Sequence, residues 1–403
     1  MDVIYLDHNA TTRPADEVAA AMAEANAELW ANPTSVHRLG QLARQKVELA
    51  REDVAHLIGA KPREVTFTSG GTESIKLAVE GVIGGMADGE EAVRFFTTRV
   101  EHSAVRELAG RLEEGGATTG WLPVDGDGRV TEAGLREALE GAVSAGASGM
   151  TVLSVQWANN ETGAVQPMGM IRDAVASARA SGARVVWHVD GTQWVGKGAT
   201  DVVESGIDLL SFAGHKFYGP KGTGVVWARR GVRLRAVQVG GPQERERRGG
   251  TENTVAIIGL GVAARLADDW LADPAEAARL AGERDRFEQE LIGRCAEVGV
   301  VAEVNGAGVE RLWNTSNVAF RGLGAEAILV ALSERGVCAS AGAACSSGSL
   351  EPSPVLLAMG MAEARAHGSV RFSLGRGTTR AELDAASEAV LEVVAGLSRV
   401  MPT

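Results

Sequence analysis

Only three cysteines occur in 403 residues, Cys295, Cys338 and Cys345, too few for a disulfide framework and in keeping with a reducing compartment. No apolar run reaches transmembrane length and no signal-peptide pattern opens the chain. The sequence therefore reads as that of a soluble protein without a membrane role, with the cytoplasm as the default location. Cations are the minority charge, 40 Lys and Arg against 52 Asp and Glu for a net charge of −12, which argues against direct nucleic-acid binding by the whole surface. Two local exceptions, 229–235 and 243–248, concentrate arginine; they read as a solvated or subunit-interface surface, and more sharply as a docking patch for an acidic partner. Cys338 and Cys345 lack the short CxxC spacing and neither has a histidine nearby, so no metal site is expected. GxGxxG and GxxxxGK[ST] are also missing, which lowers the case for a dinucleotide enzyme or an NTPase. There is no internal repeat and no long linker; the 51 glycines are spread along the chain.

What is present is a series of β-rich runs, each ending in polar residues. Glu64-Val65-Thr66-Phe67-Thr68 leads through Ser69-Gly70-Gly71-Thr72-Glu73-Ser74 into a helical pattern. Glycines there let the backbone approach an anion, and a helix start favours negative charge; Thr72 and Ser74 can add hydroxyl donors. Arg94-Phe95-Phe96-Thr97-Thr98 is followed by Glu101-His102-Ser103, and Thr151–Trp157 by Asn159-Asn160-Glu161-Thr162-Gly163. Trp187-His188-Val189-Asp190-Gly191-Thr192-Gln193 ends one further run. Ser211-Phe212-Ala213-Gly214-His215-Lys216 ends the next. Taken singly, Asp190 reads as a cap, Lys216 as a surface charge and His102 as a packing residue. Four strand ends that present Thr72, His102, Asn160 and Asp190 in turn make one shared site the more economical account. A lysine and a carboxylate on one sheet edge suit pyridoxal phosphate (PLP), the lysine holding the aldehyde and the carboxylate the pyridine nitrogen. Cys345 stands in a run of small residues, Gly342-Ala343-Ala344-Cys345-Ser346-Ser347-Gly348-Ser349, with little bulk to hide a thiol. Cys338, after Val337 at a strand, and Cys295, in a helical pattern, read as packed and inert.

The order of these motifs, from Tyr5-Leu6-Asp7-His8-Asn9-Ala10-Thr11-Thr12 through Arg248-Gly249-Gly250-Thr251-Glu252-Asn253 to Ser369-Val370-Arg371-Phe372-Ser373, resembles the cysteine desulfurases of the NifS/IscS type. The resemblance covers nearly the whole chain, and the Cys345 loop is its most specific part. It implies an α/β fold of the PLP-dependent transferase kind (fold type I, aspartate aminotransferase-like), with a mainly parallel central sheet and a smaller α+β C-terminal domain. The large PLP-binding domain is expected over 17–260, and the small one over 1–16 plus 261–403.

The resemblance also implies roles. Lys216 would hold the cofactor as a Schiff base, Asp190 would pair with its ring nitrogen, and Gln193 and Asn160 would bond its ring oxygen side. His102 would stack on the ring and shuttle protons. Gly71, Thr72 and His215 would seat the phosphate, joined by Thr251 from the other subunit of a homodimer. Arg371, Asn32 and Asn160 would bind the substrate, the arginine fork taking its carboxylate. Cys345 would take sulfur from L-cysteine, leaving alanine and a persulfide for an acceptor protein such as an iron–sulfur scaffold. Ala213 departs from the family pattern, which commonly has a phosphate-binding serine there, and one hydroxyl donor is therefore absent. Other readings are a selenocysteine lyase or cysteine sulfinate desulfinase, an aminotransferase or lyase of the same fold that has no need of Cys345, and a non-catalytic partner-binding scaffold.

Overall fold

The structure, a computed structural model, describes residues 3–86, 92–146, 149–341 and 352–400. A short strand β1 (Ile4–Tyr5) is followed by helices α1 (Asp16–Glu28) and α2 (Arg38–Leu57). Strand and helix then alternate as β2 (Val65–Thr68), α3 (Gly71–Met86), β3 (Ala92–Thr98), α4 (Ser103–Glu114), β4 (Thr118–Leu122), α5 (Glu132–Ala145), β5 (Gly149–Ser154), α6 (Met168–Ala180) and β6 (Arg184–Asp190). Two strands joined without an intervening α-helix, β7 (Leu209–Ala213) and β8 (Gly224–Ala228), complete this part. The remainder holds α7 (Thr254–Leu271), α8 (Pro274–Glu297), β9 (Ala302–Val304), β10 (Thr315–Phe320), α9 (Ala325–Ser333), β11 (Val337–Cys338), α10 (Pro354–Ala358), α11 (Glu363–His367), β12 (Ser369–Ser373) and α12 (Arg380–Val400).

Seven strands form one sheet in the order β2-β8-β7-β6-β5-β3-β4. The β4, β3, β5, β6 and β7 neighbours are parallel, and β8 alone runs against both β7 and β2. This is the mainly parallel α/β sheet that the resemblance implies. Helices cover both faces, so β5 and β7 are buried at every position and read as continuous apolar runs rather than alternating ones. Because β2 is parallel to β7, the C-terminal ends of β2, β3, β5, β6 and β7 all meet one edge. A parallel α/β sheet opens its ligand crevice at that edge.

A second sheet, β12-β10-β9, is antiparallel. Its core joins Val318, Phe320, Val370 and Phe372 to Phe287 and Leu291 of α8 and to Val390 and Val394 of α12. Leu6 lies in that same core, and β1 pairs with β11, so the N-terminal strand packs with the C-terminal body. Helix α7 runs through the expected boundary at residue 260, and Ile257, Leu260, Ala263, Ala264 and Ala267 all pack into the core of the large sheet. The arginine-rich 243–248 stretch is more than a solvated surface. Arg51 and Glu244 form a buried bidentate pair, both bonds 2.8 Å, and Arg248 bonds Glu73 at 2.9 Å.

Candidate active site

The turn Ser69-Gly70-Gly71 links β2 to α3 by close backbone contact. A Cβ on Gly224, at the start of β8, would collide with the Gly70 carbonyl, so no larger residue fits there. Helix α3 begins at Gly71 itself, earlier than the apolar periodicity alone indicates, which leaves Gly71 and Thr72 in its first turn. Ser74 does not face outward as a donor: it is buried, and its hydroxyl shares a 2.6 Å hydrogen bond with Thr68.

A cavity of about 920 Å³ opens where the five strand ends converge. Gly71 and Thr72 line it from the start of α3, and His102 from the start of α4. Asn160 lines it after β5, Asp190 at the end of β6 with Gln193 after it, and His215 and Lys216 after β7. Eight of the expected site residues thus share one cavity, and it is closed on one side by Pro352, Pro354 and Leu357.

Hydrogen bonds fix several of these groups. The Lys216 amine donates to the backbone carbonyls of Asn9 (2.7 Å) and Ala10 (3.0 Å). Gln193 Nε2 donates to the same Asn9 carbonyl at 2.9 Å, while Gln193 Oε1 accepts from the buried Lys197 amine at 2.7 Å. Lys197 also donates to Asn9 Oδ1 at 2.8 Å. Asp190 Oδ1 accepts from the Thr192 backbone N–H at 2.9 Å.

His102 caps α4, its Nδ1 accepting from the Ala104 N–H at 3.1 Å. That bond leaves the proton of the neutral ring on Nε2. Burial holds the His102 pKa below the usual 6.5; Asp190 opposes this, and Lys216 and Arg106 add to it. His215 is pushed down to about 4 by burial and by Lys216 and Lys221, and its Nδ1 lies 3.2 Å from Thr11 Oγ1. Two buried carboxyls also line the cavity. Burial raises Glu101 well above the usual carboxyl range, and raises Glu161 as well. Glu101 accepts from the Gln156 N–H at 2.7 Å, and Glu161 from the Ser353 hydroxyl at 2.6 Å.

Three expected residues stand apart from this set. Arg371, on β12, is fully buried behind the cavity, bonding Asp7 at 2.6 Å and the Asn160 carbonyl at 3.0 Å. Asn32 is exposed and off the cavity lining; its Oδ1 accepts from Thr34 N–H and hydroxyl within its own turn. Thr251 is likewise exposed, on the segment before α7. Cys345 lies outside the described residues. Of the other cysteines, Cys295 packs inside α8, where burial pushes its thiol up to about 11, and Cys338 is half-buried on β11. Asn9, Lys197, Glu101 and Glu161 do not stand out as site residues in the sequence. Only the polar clusters around Glu101 and Glu161 give a signal there.

Comparison with known proteins agrees with this geometry. Residues 4–386 match the family described as aminotransferase class-V. Cysteine desulfurase 2 of Trichormus variabilis is 42% identical over 402 residues, covering 100% of this chain and 96% of that protein. Cysteine desulfurase NifS of Azotobacter vinelandii is 41% identical over 99% of this chain and 94% of its own length. Among solved structures, a NifS-like protein superposes with a TM-score of 0.85 at 30% identity, covering 98% of this chain and all of that one. SspA in complex with cysteine gives 0.75 at 30% identity, over 92% of this chain and 98% of that one. The chain belongs to the class-V aminotransferase family, within its group of NifS-type cysteine desulfurases.

Proposed function

We propose that this enzyme is a PLP-dependent cysteine desulfurase that takes sulfur from L-cysteine onto Cys345 and releases L-alanine. The observation that carries the reading is the convergence of Lys216, Asp190 and His102 on one cavity at the C-terminal edge of a parallel sheet. The donor set fits the cofactor: a lysine for its aldehyde, a carboxylate for its ring nitrogen, and a helix start with Gly71 and Thr72 for its phosphate. When bound, PLP supplies an electron sink for the bond changes at the substrate's α-carbon.

The chain's own residues divide the remaining work. With Nδ1 of His102 tied to the Ala104 N–H, its ring offers Nε2–H to the cavity, a donor rather than a base. This favours Lys216 as the group that takes the α-proton. Gln193 presents Nε2 toward Asn9 and the cavity because Lys197, a donor, occupies the side of Oε1. Arg371 is the candidate for the substrate carboxylate; to reach it, the substrate must compete with Asp7. Cys345 as thiolate would attack the substrate sulfur. The carbon–sulfur electron pair would go to Cβ, which gains a proton to give alanine, and Cys345 would keep the sulfur as a persulfide. Cys345 precedes Pro352 at the cavity wall by seven positions, a tether of at most about 25 Å.

A homodimer is part of the reading. Trp30 and Val36 are 72% and 89% exposed, and Leu39, Leu42 and Leu49 of α2 are exposed beside them in the chain. A surface so apolar suits a second copy, from which Thr251 would reach the phosphate. A monomer by light scattering at micromolar concentration would rule out that arrangement. Delivery of the persulfide to an acceptor protein such as an iron–sulfur scaffold completes the proposal, together with a cytoplasmic setting. No helix among the described residues is long and apolar enough to cross a membrane.

Turnover of L-cysteine with a reductant tests the activity. Alanine and sulfide should appear in equal amounts. Cys345→Ala should keep the cofactor's visible absorption and lose sulfide release, and Lys216→Ala should lose the covalently held cofactor. Keto acid in place of sulfide, or full activity in Cys345→Ala, would move the enzyme to an aminotransferase or lyase.

A further inference from the structure

From the geometry we infer that Thr192 supplies the phosphate-binding hydroxyl that Ala213 cannot, an inference that rests on the reading of the α3 start as the phosphate seat. Thr192 follows Asp190 by two residues, and its backbone N–H turns back to Asp190 Oδ1 at 2.9 Å. The turn carries the side chain across the sheet edge toward α3. A Cβ built on Gly71, the first residue of α3, would stand 3.4 Å from Thr192 Oγ1 and 3.6 Å from the Ala213 Cβ. The threonine hydroxyl and the alanine methyl therefore flank the same helix start, and all three residues line the cavity.

Thr192 Oγ1 is buried, yet it has no hydrogen-bond partner among the described residues. Threonine hydroxyls in turns commonly satisfy themselves on nearby backbone, and a buried one left unpaired is destabilising. An anion seated on the first N–H groups of α3 gives this hydroxyl an acceptor. At position 213 the chain has a methyl group where a serine would place a donor, so the hydroxyl on the opposite flank of Gly71 takes over that contact. The sequence alone does not reveal this, because positions 192 and 213 belong to different strand ends and only the β6–β7 pairing sets them beside one residue.

The test compares binding of PLP and of pyridoxal, which lacks the phosphate, to cofactor-free protein followed by the visible absorption band. Thr192→Val, which keeps the shape and removes the hydroxyl, is expected to weaken PLP binding about tenfold, as for loss of one hydrogen bond to a charged group. Binding of pyridoxal should not change. Ala213→Ser in the Thr192→Val background should restore most of the lost PLP affinity. Unchanged PLP affinity in Thr192→Val overturns the inference, as does equal weakening of PLP and pyridoxal, which would direct the hydroxyl to the ring. Failure of the wild-type protein to form any band with PLP would instead overturn the cofactor reading itself.

Discussion

Lys197 joins three distant parts of the molecule through one residue. Its amine bonds Asn9 of the N-terminal arm and Gln193 of the β6 turn, and Trp313 donates to its backbone carbonyl. Gly196 makes this possible: it sits at φ +77°, and a Cβ there would press on the Phe217 side chain at 2.6 Å. Burial pushes the Lys197 pKa well below the usual 10.5, helped by Lys216, Arg371 and Arg376. Lys197→Met leaves Gln193 Oε1 without that donor and should destabilise the fold by about 1–3 kcal/mol. The sign of the pH dependence follows from the lowered pKa. The unfolded chain binds the extra proton below pH 10.5, so the stability contributed by the lysine is fully present above that value and is lost as pH falls. The gap between wild type and Lys197→Met in urea unfolding should therefore widen from about pH 7 to about pH 10. A constant or narrowing gap would contradict the account.

Single residues also show why some of the site is legible in the sequence and some is not. Asp190 ends a strand, and Lys216, His102 and Thr72 each follow one closely, so local pattern alone brings them to the sheet edge. Lys197 reads in sequence like any solvated lysine. Its burial depends on Asn9, 188 positions away, and no local signal carries that.

Among the elements, the 243–248 stretch shows how a charged run becomes structural. Glu244 accepts from both terminal nitrogens of Arg51 and from the Phe67 N–H at 2.8 Å, which ties this segment to α2 and β2. The anchor holds although Glu244, Arg245 and Glu246 all have positive φ, between 48° and 63°, a conformation disfavoured for residues other than glycine. Glu244→Gln should cost about 3–5 kcal/mol, because it leaves the buried Arg51 without its main counter-charge. Adding Arg51→Met should recover part of the loss; a double variant less stable than the single one would contradict the pairing argument. Strands β2, β3, β5, β6 and β7 are legible to within a few residues, since apolar runs and polar ends bracket them. The start of α3 is less so, because its first turn is glycine and threonine lining the cavity rather than the apolar face. The course of α7 past residue 260 is hidden for another reason: its alanines pack equally well in either core, and only the contact with α1 and α2 decides.

The whole molecule unites two bodies through the N-terminal arm. Leu6 packs in the smaller core, and three residues later Asn9 bonds the Lys216 and Lys197 amines, so the arm links the small sheet to the cavity of the large one. The arm thereby meets Lys216 at the cavity and, through Asp7, the buried Arg371 behind it; on the proposed reading, sulfur passes from an amino acid bound there to Cys345. The three cysteines make this directly measurable. The decisive measurement is mass spectrometry of the PLP-loaded enzyme after a single addition of L-cysteine without reductant. The account predicts one added sulfur atom on the peptide that contains Cys345, none on those of Cys295 and Cys338, and alanine in equal amount. Alanine formed with no added sulfur on the Cys345 peptide would contradict it.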